Sequence, residues 1–165
     1  MTTDTAPFSA TNWLAGRLPA EWFTSFDVTV DREEILIDGT ITAPDPDSAD
    51  AQTGRISRFR EETRAARIEI ALELEARTDR KVSWAVTCGD TRQGFTRLSV
   101  PVMTRLQQPQ RQVLDTLVEA GVARSRSDAL AWCVRLVGQH EGDWLAELES
   151  AMGSVREARA KGPSA

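Results

Sequence analysis

Nine consecutive residues, Ala129-Leu130-Ala131-Trp132-Cys133-Val134-Arg135-Leu136-Val137, carry a single charge. They follow Ser125-Arg126-Ser127-Asp128, which opens a helix with a serine as its N-cap. A helix that is apolar almost all round has to be buried on most of its sides. The unit that carries it, a strand and two helices between residues 96 and 137, is too small to enclose a core of its own. Either the rest of the chain or a second copy has to supply the missing surface.

The residues before that helix show two different periods. From Arg97 to Leu106 the even positions read Leu98, Val100, Val102, Thr104 and Leu106, and the odd positions Arg97, Ser99, Pro101, Met103 and Arg105. Alternation of this kind predicts a strand with one buried face. From about Pro109 to Ala120 the period becomes helical, with Val113, Leu114, Leu117 and Val118 as its apolar stripe. Pro109 suits the N1 position and Gly121 the C′ stop.

Between Val102 and Val137 the chain resembles the ribbon-helix-helix family of bacterial repressors and antitoxins. The shared features are a strand ending in Arg105-Leu106, the helix Leu114-Asp115-Thr116-Leu117-Val118-Glu119-Ala120-Gly121, and the second helix opening Ser125-Arg126-Ser127-Asp128-Ala129-Leu130. The resemblance implies a homodimer in which two strands pair antiparallel and enter the major groove of double-stranded DNA. Pro101, Met103 and Arg105 would then face base edges, with Met103 and Arg105 as the contacting pair and Arg105 able to grip a guanine. Backbone N–H groups from Ser125 to Ser127 would hold a phosphate, aided by Arg124 and Arg126. Val102, Leu106, Leu130, Trp132 and Val134 would form the dimer interface. In antitoxins of this kind a C-terminal segment binds a protein partner, and the amphipathic stretch 143–155, with Trp144, Leu145, Leu148, Met152 and Val155 on one side, fits that role. Packing on the chain's own N-terminal domain is the alternative. Two features depart from the pattern: Pro101 and Met103 cannot donate hydrogen bonds to bases, and Gln107-Gln108 intervene before Pro109.

The first 95 residues read as a separate α+β domain. Residues 1–12 are small and polar and are expected to fray. Trp13 to Phe23 is an apolar stretch broken by Gly16 and Pro19, suited to a helical turn that lays its tryptophans on a sheet. Asp27–Val30 and Ile35–Ile41 flank a charged break and predict a hairpin. Thr42 to Gly54 reads as a loop, and Arg55 to Arg77 as one long helix. That helix buries Ile56, Phe59, Ala66, Ile70 and Leu74, with Ile68 and Leu72 widening the stripe, and its Arg/Glu face is expected to be solvated and laced with ion pairs. Val82–Cys88, the turn Gly89-Asp90 and an extended run from Gly94 predict a second hairpin.

Charge is unevenly spread. The chain carries a formal −5, yet residues 96–137 hold six arginines against three acids, and residues 1–50 two arginines against ten acids. The overall sign argues against a general polyanion binder, while the local surplus lies where DNA contact is expected. One histidine, His140, no tyrosine and no glycine-rich phosphate loop leave few groups for acid-base or nucleophilic work, so no enzyme is expected. No metal or cofactor is expected either, since Cys88 and Cys133 are far apart in sequence and read as buried free thiols. The absence of a long apolar run or leader-like start predicts a cytoplasmic protein.

The expected architecture is therefore α+β: a β-hairpin, a long helix and a second hairpin over residues 1–95, a ribbon-helix-helix-like unit over 96–137, and one further helix with a tail over 138–165. The expected function is dimeric, sequence-specific DNA binding in transcription regulation. The alternative is a protein-protein interaction module, antitoxin-like or otherwise, that reuses the fold without reading DNA.

Overall fold

A computed structural model describes residues 8–161; the chain divides between Val102 and Met103 into two compact units. The expected fraying of the extreme N-terminus and the last few residues of the tail lie outside the described residues, but residues 10–12 already belong to a helix.

The first unit contains α1 (Ala10–Arg17), β1 (Ser25–Val30), β2 (Glu34–Ile41), α2 (Ala49–Glu62), α3 (Arg64–Thr78), β3 (Lys81–Cys88) and β4 (Thr91–Gly94). Both expected hairpins form, and they join into one four-stranded sheet in the order β1-β2-β3-β4. The join is parallel: β2 and β3 pair from Glu34 with Lys81 to Ile41 with Cys88. A parallel pair needs a long crossover, and α2 and α3 supply it while packing on β3.

Register explains which side chains are buried. Ile35 lies beside Val82, Ile37 beside Trp84 and Ile41 beside Cys88, and all six are core residues. Leu14, Ile56, Phe59, Ile70, Leu74, Val86 and Phe95 complete the same cluster. Full burial of each large aliphatic side chain contributes about 1.5–3 kcal/mol before entropy is counted. Trp22 meets Trp84 edge-on at 6.2 Å and Phe59 at 5.8 Å, as the aromatic stretch after α1 predicts.

Five sequence expectations for this unit need correction. The loop after β2 is shorter than expected, because Ser48 caps α2 by accepting from the Ala51 N–H at 3.2 Å and the helix starts at Ala49. The single long helix is two. Thr63 separates them, its hydroxyl donating to the Phe59 carbonyl at 2.6 Å, and such back-bonding to the preceding turn bends a helix. Ile68 and Leu72, off the face that carries Ile70 and Leu74, stay half or more exposed, while Arg67 is only 7% exposed. The expected ion-paired face is also sparse, since Arg58–Glu62 at 3.8 Å is the only pair within that Arg/Glu stretch among the described residues. The last strand, β4, ends at Gly94 rather than beginning there.

The second unit contains α4 (Gln108–Glu119), α5 (Arg126–His140) and α6 (Gly142–Lys161). Its buried residues are Leu114, Ala123 and Ala129, with Leu106, Leu117, Val118, Leu130 and Cys133 packed against them. Cys88 is buried and Cys133 half-buried, and both are free thiols. Burial pushes the Cys88 thiol above its ordinary value.

Candidate nucleic-acid interface

Helices α4 and α5 form where their sequence signals lie. Gln107 precedes α4, and its N–H is accepted by the Gln110 side chain at 2.8 Å. Pro109 follows in the first turn, where its missing N–H costs nothing. Gly121 ends the helix with φ of +74°, the left-handed conformation that its lack of a Cβ permits. Ser125 caps α5 by accepting from the Asp128 N–H at 3.2 Å.

The residues expected to hold a phosphate do lie together at this turn, and two of them already have partners. Arg126 grips Asp115 with two hydrogen bonds, Nε to Oδ1 at 2.6 Å and Nη2 to Oδ2 at 2.7 Å. Arg124 donates to Asp128 Oδ2 through its backbone N–H at 3.0 Å and its Nε at 3.3 Å. The side chain of Arg124 is otherwise 92% exposed. The Arg126 guanidinium holds the Asp115 carboxyl below the usual aspartate range, and the backbone and side chain of Arg124 do the same for Asp128. Ser125 and Ser127 are exposed.

The expected strand is not one in a single chain. Residues 96–107 form no ladder, because no neighbouring strand offers partners for their N–H and C=O groups. Of its predicted apolar face, Leu106 alone is half-buried, against the α4–α5 cluster; Leu98, Val100 and Val102 are exposed. Val102 and Met103 are 86% and 96% exposed. Arg105 is exposed beside them. Arg111, which the sequence does not single out, anchors the end of the segment by donating from Nη1 to the Leu106 carbonyl at 2.6 Å.

The apolar second helix is also left largely uncovered. Within α5 only Ala129 is fully buried; Leu130, Trp132, Cys133 and Leu136 are half-buried, and Val134 is 66% exposed. Helix α6 runs further than the expected 143–155 segment and has no buried residue, with Trp144, Leu145, Leu148, Met152 and Val155 all exposed. Of the expected interface set, Leu106, Leu130 and Trp132 are half-buried, whereas Val102 and Val134 are exposed.

Among the described residues no group of three or more His, Cys, Asp or Glu side chains is placed to hold a metal ion, and no helix is long and apolar enough to cross a membrane.

Comparison with known proteins gives two matches to protein families. Residues 9–94 match the N-terminal domain of the Rv1265-like protein, and residues 107–159 match the Mb1296 C-terminal domain. The boundary between the two matches lies close to the division at Val102. Similar relatives include Rv1265 of Mycobacterium tuberculosis (strain ATCC 25618 / H37Rv) and Mb1296 of Mycobacterium bovis. Each is 57% identical over 158 residues, covering 93% of this chain and 70% of the relative. No solved structure matches the chain.

Proposed function

The chain belongs to the Rv1265-like family, and from the geometry of its second unit we propose that it is a dimeric, sequence-specific DNA-binding regulator of transcription acting in the cytoplasm. One observation carries the reading. A largely exposed segment that pairs with no strand, residues 96–107, runs directly into a two-helix unit whose second helix keeps apolar side chains in water. A second copy would resolve both at once. Two such segments pairing antiparallel would satisfy each other's backbone groups, and Val102 and Val134 would leave solvent. A two-stranded ribbon of this kind fits the major groove, with Met103 and Arg105 toward the bases.

In this reading the N–H groups at the start of α5 and the exposed Arg124 meet the phosphate backbone. Arg126 would act through Asp115, fixing α5 on α4, unless it exchanges that partner for a phosphate.

The test is selection of genomic DNA fragments by the purified protein at about physiological salt, repeated with Arg105→Ala. Enrichment of a palindromic site, lost in the variant, is the expected result; loss of a bidentate base contact removes about 1–3 kcal/mol of site preference. A stable dimer that enriches nothing would refute DNA reading.

A second reading has its own support. Arg126 is already paired, Pro101 and Met103 offer bases no donor, and α6 exposes a row of apolar side chains. These favour an antitoxin-like interaction module that uses the dimer to present α6 to a protein partner. Such a protein would keep its partner when Arg105 is replaced.

A further inference from the structure

We propose that the first unit holds a binding site for a small oxyanion-bearing ligand, a phosphate or a carboxylate, on the shared surface of α2, α3 and β4. The site is a recess of about 410 Å³ lined by Ser57, Arg60, Glu61, Arg64 and Gln93. That volume suits a small molecule rather than a chain.

The charge of this region is unusual. Five arginines, at positions 55, 58, 60, 64 and 67, stand against Glu61 and Glu62. Arg58 spends its charge on Glu62 at 3.8 Å. Among the described residues no carboxylate pairs with Arg60, Arg64 or Arg67. Glu61 lines the same recess without pairing with them, so it offsets only part of the surplus.

Arg67 sets the arrangement. Only 7% exposed, it lies over the Phe95 ring at 4.7 Å and near Trp84 at 5.8 Å. Its Nε donates to the Thr63 hydroxyl at 3.0 Å and its Nη2 to the Arg60 carbonyl at 2.8 Å. Arg60 stacks on the same Phe95 ring at 5.4 Å. Two guanidiniums thus share one aromatic platform, and Arg64 stands one turn before Arg67 on α3. Burial, followed by repulsion from Arg60 and Arg64, pushes the Arg67 guanidinium down to about 10.

A buried cation without an acid is costly, and grouped cations add to the cost. Here the cost is met by backbone, hydroxyl and aromatic contacts that hold the Arg67 guanidinium, while Arg60 and Arg64 line the recess with no acid paired to them. An oxyanion in it would accept charge-assisted hydrogen bonds from the planar forks of Arg60 and Arg64, with Ser57 and Gln93 as neutral donors at the rim. It would also neutralise the repulsion felt by Arg67. The site uses none of the residues assigned to DNA contact, so its failure and the failure of that reading are separate results.

The experiment is calorimetric titration of the whole 165-residue chain with pyrophosphate, and in parallel with citrate, in phosphate-free buffer at constant ionic strength. Saturable binding of one ligand per chain is expected, weakened about tenfold or more by Arg64→Gln and left unchanged by Arg58→Gln. Arg64 is exposed, so circular dichroism should show both variants folded. No saturable heat with either probe overturns the proposal. So does an equal loss in the two variants, which would mean diffuse charge and no site. A random-sequence DNA duplex forms the third arm. If Arg64→Gln weakens the duplex while neither small probe binds, the arginines serve a nucleic-acid backbone and the small-ligand site is refuted.

Discussion

Replacing Gly39 by alanine tests the packing of the first unit most directly. Gly39 sits in the middle of β2, opposite Val86 of β3 and Phe26 of β1. A Cβ built there would lie 2.2 Å from Cε1, 2.3 Å from Cδ1 and 2.6 Å from Cζ of Phe23. One whole edge of the Phe23 ring occupies the space that a side chain would need. The ring therefore has to move by more than an ångström, and it is not free to do so without loss. It lies 5.3 Å from the Phe59 ring and 6.1 Å, edge-on, from Trp22. Aromatic pairs of this kind contribute about 0.5–1.5 kcal/mol each beyond their buried area. With overpacking strain included, Gly39→Ala should cost about 1–3 kcal/mol. Urea unfolding followed by tryptophan fluorescence would read the change as a lower midpoint at unchanged slope. The cause is checked by a double-mutant cycle: in a Phe23→Ala background the same substitution should cost well under half as much, since nothing then fills the space. An equal cost in both backgrounds would show that the Phe23 ring is not what excludes a side chain at Gly39.

Other predictions concern the second unit. Gly121 has φ of +74° but no atom within 4 Å of a built Cβ, so Gly121→Ala should cost about 1 kcal/mol through backbone strain alone, and Gly121→Asn less, read from thermal unfolding. Because the Asp115 carboxyl is held below its ordinary value, the Arg126 contact stabilises the fold above a pH of about 4 and is lost as pH falls through the lower folded-state value. Arg126→Ala should return Asp115 to the ordinary aspartate range in a carboxylate NMR titration; an unmoved Asp115 would discount the pair. Val134→Glu, at a position 66% exposed in one chain, should leave a lone unit's stability nearly unchanged but convert a dimer to monomer in sedimentation; a persistent dimer would place the interface elsewhere.

Much of the local structure was legible in the sequence because its causes are local. Ser125 as N-cap, Gly121 as helix stop and the alternating Ile35, Ile37 and Ile41 each act through neighbours within a few residues. The same holds for both hairpins and for the helical nature of the 143–155 segment, which the structure extends to Lys161. In the candidate site, the grouping of Arg124, Ser125, Arg126 and Ser127 at one helix start followed from spacing alone. That Arg126 belongs to Asp115 did not, since the two lie on different helices and meet only after the turn is folded.

What tertiary structure decided has a common physical origin in partners remote along the chain. The alternating residues 97–106 had the pattern of a strand, but a strand exists only where another strand satisfies its backbone, and one copy provides none. The two hairpins gave no local sign that β2 and β3 would join in parallel, a pairing fixed by how α2 and α3 cross the sheet. Arg67 looked like one more solvated charge on a helix face. The Thr63 hydroxyl, the Arg60 carbonyl and the rings of Phe95 and Trp84 hold it buried instead, because the energy of a buried cation depends on what surrounds it in space. Sequence set the elements and their ends; the side of each element that meets water was set by the partners those elements found.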